Sequence, residues 1–164
     1  MDDEVRGAIH NQINQELRAA YLYLAMAAHF EVQSLDGFGT WMRLQAREEV
    51  GHAMRLFDFV VRRGGEVRLL DLPAPDAKLG SPLEVFKLAL EHEIKVTALI
   101  NELYELAAAK RDYPTRLELQ WFIEEQVEEE ATAGKIVEQL EMVGDDRAAL
   151  LTLDQKLGGR AAAK

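Results

Sequence analysis

Cysteine is absent from all 164 residues, which excludes disulfides, thiolate-held zinc, iron–sulfur clusters and any rubredoxin-like module with four cysteine ligands. Proline is scarce. Its four occurrences fall, together with glycines, between long stretches of helical periodicity, so little besides helix is expected. Long apolar runs are missing too: nothing approaches the roughly 20 residues of a membrane span. The acidic beginning Met1-Asp2-Asp3-Glu4 is unlike the basic start of a secretory signal, so the expected compartment is the cytoplasm. Positive charge is in short supply as well, with 19 Lys and Arg against 29 Asp and Glu and a net charge of −10. Such a surface repels nucleic acid and anionic membranes and favours small cations, although charge alone is accounted for equally well by solubility.

What is present is a chain with 48% apolar residues, enough for one substantial core, so residues 1–164 are read as a single domain. The periodicity predicts long helices over about 4–33, 37–63, 82–110 and 113–143, with a short fifth helix near 146–157. Ser81-Pro82-Leu83-Glu84 combines a serine cap, a proline at the first helical position and a glutamate placed to complete a capping box. Asp112 can cap the fourth helix, and Gly144 with Asp145-Asp146 ends it and starts the fifth. The tail Gly158 to Lys164 is expected to fray. Two links, Ser34–Gly37 and Lys110–Asp112, are short and force antiparallel neighbours, whereas Gly64–Gly80 is long. A helix of about 27 residues measures ~40 Å, and about 17 extended residues reach ~56 Å. The long link can therefore run the length of a bundle and make the second and third helices parallel. The expected fold is all-α: a four-helix bundle with one long crossover, the ferritin-like arrangement.

Following a 3-4 seam along each helix gives Ile9, Ile13, Glu16, Ala20, Tyr23, Ala27 and Phe30 on the first, and Phe38, Met42, Gln45, Glu49, His52, Leu56 and Phe59 on the second. The third gives Phe86, Leu90, Glu93, Thr97, Ile100, Tyr104 and Ala107; the fourth gives Leu119, Phe122, Gln126, Glu129, Ala133, Ile136 and Leu140. Each seam is apolar at its ends and carries a carboxylate near its middle. Together they hold Glu16, Glu49, Glu93, Glu129 and His52, and no lysine or arginine. Burying one unpaired carboxylate costs several kcal/mol, and a cluster adds repulsion, against a whole stability of roughly 5–15 kcal/mol. A cation must compensate, and a pair of divalent metals balances four carboxylates. Oxygen-rich ligation with an imidazole suits non-haem iron or manganese better than structural zinc.

The spacing supports a paired site. Glu49-Val50-Gly51-His52 puts a glutamate and a histidine on one helical face. A lone pair of this kind arises often by chance; the quasi-repeat makes it specific. One half of the chain supplies Glu16 and then Glu49 with His52, and the other supplies Glu93 and then Gln126 with Glu129. The alternative is a seam misassigned by one residue, which would leave these glutamates solvated.

The segments Ala20–Leu24, Phe38–Met54, Glu91-His92-Glu93 and Gln120–Glu130 make the chain resemble the non-haem ferritins of bacteria and archaea over nearly its whole length. The resemblance implies Glu16, Glu49 and His52 as ligands of a first iron, with Glu49 bridging to a second held by Glu93, Gln126 and Glu129. It implies a third iron on Glu48, Glu125 and Glu128, and it makes Tyr23 the site tyrosine, which joins Glu16, Glu49 and His52 as catalytic residues. Two departures separate this chain from neighbouring families. Val50-Gly51 stands where bacterioferritins carry a haem-ligating methionine, so no haem is expected. Gln126-x-x-Glu129 stands where bacterioferritins and rubrerythrins repeat Glu-x-x-His, which implies a more weakly held second iron.

The implied function is storage: oxidation of Fe(II) by O2 or peroxide, hydrolysis, and transfer to a mineral inside a homo-oligomeric shell of 24 subunits. The helix from Arg147 to Leu157 would form a symmetry contact. Its Leu150, Leu151 and Leu153 find no room in a four-helix core and are expected to pack mainly between subunits. A rubrerythrin- or bacterioferritin-like diiron oxidoreductase and a nonenzymatic acidic scaffold are the competing readings. Trp121 and the methionines are read as packing, and His10, His29 and His92 as surface residues. For Gly51 and Gly134, poor helix formers inside helices, close helix contact is the expected reason.

Overall fold

Five helices make up the fold described for residues 1–160 by the computed structural model: α1 Asp3–Val32, α2 Asp36–Arg62, α3 Pro82–Ala109, α4 Tyr113–Val143 and α5 Arg147–Gly158. Residues 161–164, the end of the tail expected to fray, lie outside the described residues. The termini follow local chemistry. Asp2 accepts from the backbone N–H of Glu4 at 2.9 Å, Asp112 from that of Thr115 at 3.2 Å, and Asp146 from those of Ala148 and Ala149 at 2.9 and 3.1 Å. Each satisfies donors that have no partner inside the helix. Ser81 and Glu84 complete the capping box that starts α3. Each short link turns through one left-handed residue, Ser34 at φ 59° and Arg111 at φ 55°.

The crossover is held against α1 by side chains of α1 itself. His10 donates to the Glu66 carbonyl at 3.0 Å, Asn14 to the Asp71 carbonyl at 3.1 Å, and His29 to the Gly80 carbonyl at 2.8 Å. Because a carbonyl only accepts, these contacts require the Nε2–H form of both imidazoles. The order of the contacts shows that the crossover runs alongside α1 in the same direction. Helix α3 runs the opposite way, since Phe30 stacks on Phe86 while Tyr23, seven residues earlier in α1, bonds to Glu93, seven residues later in α3. Helix α2 also opposes α1, pairing Arg43 with Glu31 near one end and bringing Glu49 beside Glu16. Helices α2 and α3 are therefore parallel, as the long link requires.

All seam residues are buried except Leu90, Thr97 and Tyr104, which are partly so. The apolar ones form two separate clusters. One contains Phe30, Phe38, Trp41, Met42, Phe86 and Leu140; the other contains Ile9, Leu56, Phe59, Ile100, Leu119 and Phe122. The band of polar seam residues lies between them, so rigid apolar packing on both sides fixes its geometry. Among the described residues no helix is long and apolar enough to cross a membrane.

Three expectations need correction. Helix α5 docks on its own chain: Leu153 is buried with the first apolar cluster, and Leu150 and Leu157 pack against it. The Asp154 carboxylate caps α2, accepting from the N–H groups of Gly37 at 3.1 Å and Phe38 at 2.7 Å. The approach is so close that a Cβ on Gly37 would stand 1.8 Å from the Asp154 carbonyl oxygen. Of the three leucines, Leu151 is left exposed. Secondly, the histidines are not simple surface residues: His10 and His29 are half-buried clamps on the crossover, and the His92 Nε2 is buried without a partner among the described residues. Burial, then the charges of Lys95 and Arg18, hold the His92 imidazole down at about 4. Lastly, nothing among the described residues lies within 4 Å of a Cβ at Gly51 or Gly134; close helix contact within the chain does not explain them.

Candidate metal centre

The polar band brings together side chains from all four long helices. Glu16 of α1, Glu49 and His52 of α2, Glu93 of α3 and Gln126 and Glu129 of α4 are all buried. Hydrogen bonds within and between the helices set their orientation. Gln12 donates to Glu16 at 2.8 Å, and Gln45 donates to Glu129 at 2.7 Å and to Glu49 at 3.3 Å. Gln126 shares one amide group among the Glu93 carboxylate, the Glu93 carbonyl and the Thr97 hydroxyl, at 3.2 to 3.3 Å. The Tyr23 hydroxyl donates to the Glu93 carboxylate. The His52 ring is walled in edge-on by Trp121, with centroids 5.4 Å apart, and by Phe122 at 6.0 Å. The Arg55 guanidinium covers the face of that tryptophan at 4.0 Å.

Electrostatically this band is short of positive charge. Among the described residues, no lysine or arginine forms an ion pair with Glu16, Glu49, Glu93 or Glu129; the sole pair is His52 with Glu49, at 3.5 Å. One Glu16 oxygen is buried with no hydrogen-bond partner among the described residues. Burial accordingly raises the Glu16 carboxyl well above its ordinary range, and the charge of Glu49 adds to the effect. Burial raises Glu49 in the same way, followed by the charges of Glu93 and Glu129. Glu93 is raised by burial too, against hydrogen bonds from Tyr23 and Gln126 that favour its ionised form. Glu129 is pushed up to about 7, first by burial and then by Glu93. The Tyr23 phenol is raised by burial and by the charges of Glu93 and Glu49. Carboxyls that resist ionisation together are ones that a divalent cation would bring into their charged forms.

Atoms that could ligate a metal converge in two groups, each within 4.8 Å: Glu16, Glu49 and His52, and then His52, Glu125 and Glu129. Burial, an unpartnered carboxylate oxygen, and oxygen donors with a single imidazole fit a hard or borderline divalent metal such as Fe(II) or Mn(II). The residues singled out for a third metal separate. Glu125 is half-buried beside His52 and Glu129, Glu128 is exposed, and Glu48 is engaged by Arg160. Gln12 and Gln45 were not assigned a role from sequence, although each stands one helical turn before a seam glutamate, Gln12 before Glu16 and Gln45 before Glu49, and that spacing is a readable signal. Arg160 had no such signal.

Residues 6–143 match the family model for the ferritin-like domain. Among curated proteins, a bacterial non-heme ferritin from Bacteroides fragilis is 39% identical over 160 residues, covering 98% of this chain and 99% of its own length. One from Staphylococcus epidermidis is 38% identical over 161 residues, covering 98% and 97%. Among solved structures, an open pore ferritin from the hyperthermophilic archaeon Archaeoglobus fulgidus superposes with a TM-score of 0.97 at 46% identity, covering 98% of this chain and 99% of its own. A humanized archaeal ferritin gives 0.98 at 46% identity, covering 100% and 99%. With the bundle, the crossover and the buried carboxylate band all in place, the chain belongs to the ferritin family.

Proposed function

We propose that this chain is an iron-storage subunit that oxidises Fe(II) at its buried carboxylate band and passes Fe(III) to a mineral inside a hollow, cytoplasmic homo-oligomer of 24 copies. The observation that carries the reading is that, among the described residues, the four buried glutamates of the band have no Lys or Arg partner and only His52 beside them. A structural polar network of this charge would be self-defeating, whereas a pair of divalent cations neutralises it.

Iron is the substrate. Glu16 and His52 hold one Fe(II), Glu49 bridges, and Glu93, Gln126 and Glu129 hold the second, with Gln126 contributing a neutral donor that keeps this position weak. On binding, the raised carboxyls give up their protons. Each Fe(II) then loses one electron; O2 takes up the two electrons and two protons to leave as hydrogen peroxide, and water hydrolyses the Fe(III) to oxyhydroxide with release of further protons. The chain's own contribution is to hold two metals side by side, to accept and release protons at carboxylate oxygens, and to place the Tyr23 hydroxyl on Glu93 within reach of the pair as an electron or proton donor. Glu48, Glu125 and Glu128, apart in the metal-free chain, would have to gather around an incoming ion to give a third, weaker position on the way out.

The test is aerobic Fe(II) loading of metal-free protein, followed by assembly mass and iron per subunit. Hundreds of iron atoms inside a 24-subunit particle are expected. A small oligomer retaining only two irons per chain would replace storage by a diiron oxidoreductase, and no oxidation at all would leave a scaffold.

A further inference from the structure

Arg160 lies just beyond α5, and its guanidinium reaches the edge of the metal centre. One nitrogen donates to the Gln45 side-chain carbonyl at 2.8 Å, another makes a charge-assisted hydrogen bond to the Glu48 carboxylate, and the plane stacks over Trp41 at 4.9 Å. Both partners of the ion pair are largely withdrawn from water, at 24% and 15% side-chain exposure. The placement is built rather than incidental. Asp154 ties α5 to the start of α2, and Gly158 packs so tightly on Gly37 that a Cβ there would stand 2.9 Å from the Gly37 Cα. Gly159 then closes the helix and delivers Arg160 to Glu48.

Two consequences follow from the chemistry. With its carbonyl held by Arg160, the Gln45 amide must present its N–H group to Glu129 and Glu49. And Glu48, whose charge is felt at Glu129, already has a cation. We propose that Arg160 is a resident counter-ion of the metal centre, occupying Glu48 while the centre is empty and yielding it to an arriving divalent cation, so that the end of α5 competes with loading of the third position. This rests on the reading of Glu48 as a ligand there. Because a guanidinium cannot lose its proton in this environment, the competition is one cation for another.

The test uses the metal-free assembly and Zn(II) as a redox-silent probe, with binding followed calorimetrically and by Trp41 emission in a Trp121→Phe background. In that background Zn(II) should produce a weak, Glu48-dependent binding event accompanied by an emission change as the guanidinium leaves the indole. Arg160→Ala should tighten this event about tenfold, the scale of one part-buried charge-assisted bond, and abolish its emission change. Arg160→Lys keeps the charge without the planar fork, so it should retain near-wild-type affinity with a smaller emission change; its unchanged assembly mass would separate charge from folding. A Glu48-dependent event that appears only once Arg160 is removed supports the proposal equally. A Glu48-dependent event with the same affinity and emission change in Arg160→Ala overturns it and leaves the third position standing. If Glu48→Gln changes nothing in either the wild-type or the Arg160→Ala protein, the assignment of Glu48 as a ligand fails and the proposal with it.

Discussion

Replacing Glu129 by glutamine in the metal-free protein should stabilise it, and the gain should depend on pH in a set way. The Glu129 carboxyl is pushed from an ordinary 4.5 to about 7, mainly by burial. Below about pH 4.5 the group is protonated in both folded and unfolded chains and contributes nothing to the difference. As pH rises towards 7 the unfolded chain ionises first, so folding must hold a proton that the unfolded state has released, and stability falls. Above about 7 the folded carboxyl ionises too, and the loss levels off. A shift from 4.5 to about 7 corresponds to about 3 kcal/mol at its plateau. Glutamine removes the charge but keeps the carbonyl oxygen that accepts from Gln45 at 2.7 Å. Glu129→Gln should therefore unfold with a free energy equal to wild type near pH 4.5 and about 3 kcal/mol higher at pH 8, or about 6–12 °C in melting temperature for a chain of this size. The assay is denaturant unfolding of chelator-treated protein across that pH range, at fixed subunit concentration because assembly contributes to apparent stability. Equal stability at pH 8 would refute the argument. Lower stability would do so more decisively, since it would mean that Glu129 has a cationic partner left stranded by the change.

His52→Ala should eliminate the tighter of the two Fe(II) sites in an anaerobic titration and slow oxidation by at least about 100-fold; unchanged kinetics would remove the site assignment. Anaerobic Fe(II) binding near pH 6.5 should release protons, because Glu129 at about 7 is still largely protonated there. A pH-stat should see the Glu129 share of that release diminish above pH 8, and the whole release disappear in a protein lacking the site. Asp154→Ala removes both caps from the start of α2 and should cost about 1–2 kcal/mol, measured by chemical unfolding. Truncation after Gly144 should leave the four long helices intact by circular dichroism while lowering their stability, because α5 covers the start of α2; a truncated chain as stable as the full one would contradict the intrachain docking.

The fold was legible in one dimension because its determinants are local. The 3-4 periodicity, the caps at Ser81, Asp112 and Asp146 and the length of the Gly64–Gly80 link each act within a few residues, and together they permit one bundle topology. The carboxylate band was legible for an electrostatic reason. Glu16, Glu49, Glu93 and Glu129 occupy positions that periodicity buries, and no seam lysine or arginine offsets them, so the imbalance can be counted without coordinates. What only the tertiary structure decided depends on groups far apart in the chain. Arg160 meets Glu48 across 112 residues, and Asp154 caps a helix that begins more than a hundred residues earlier. The two groups that could hold a metal followed from side-chain direction, which brings Glu125 beside His52 and Glu129 and leaves Glu128 exposed. Seam position alone cannot order them, because residues flanking a seam face the core or solvent according to how four helices are rotated against one another, and that rotation is set by packing across the whole bundle.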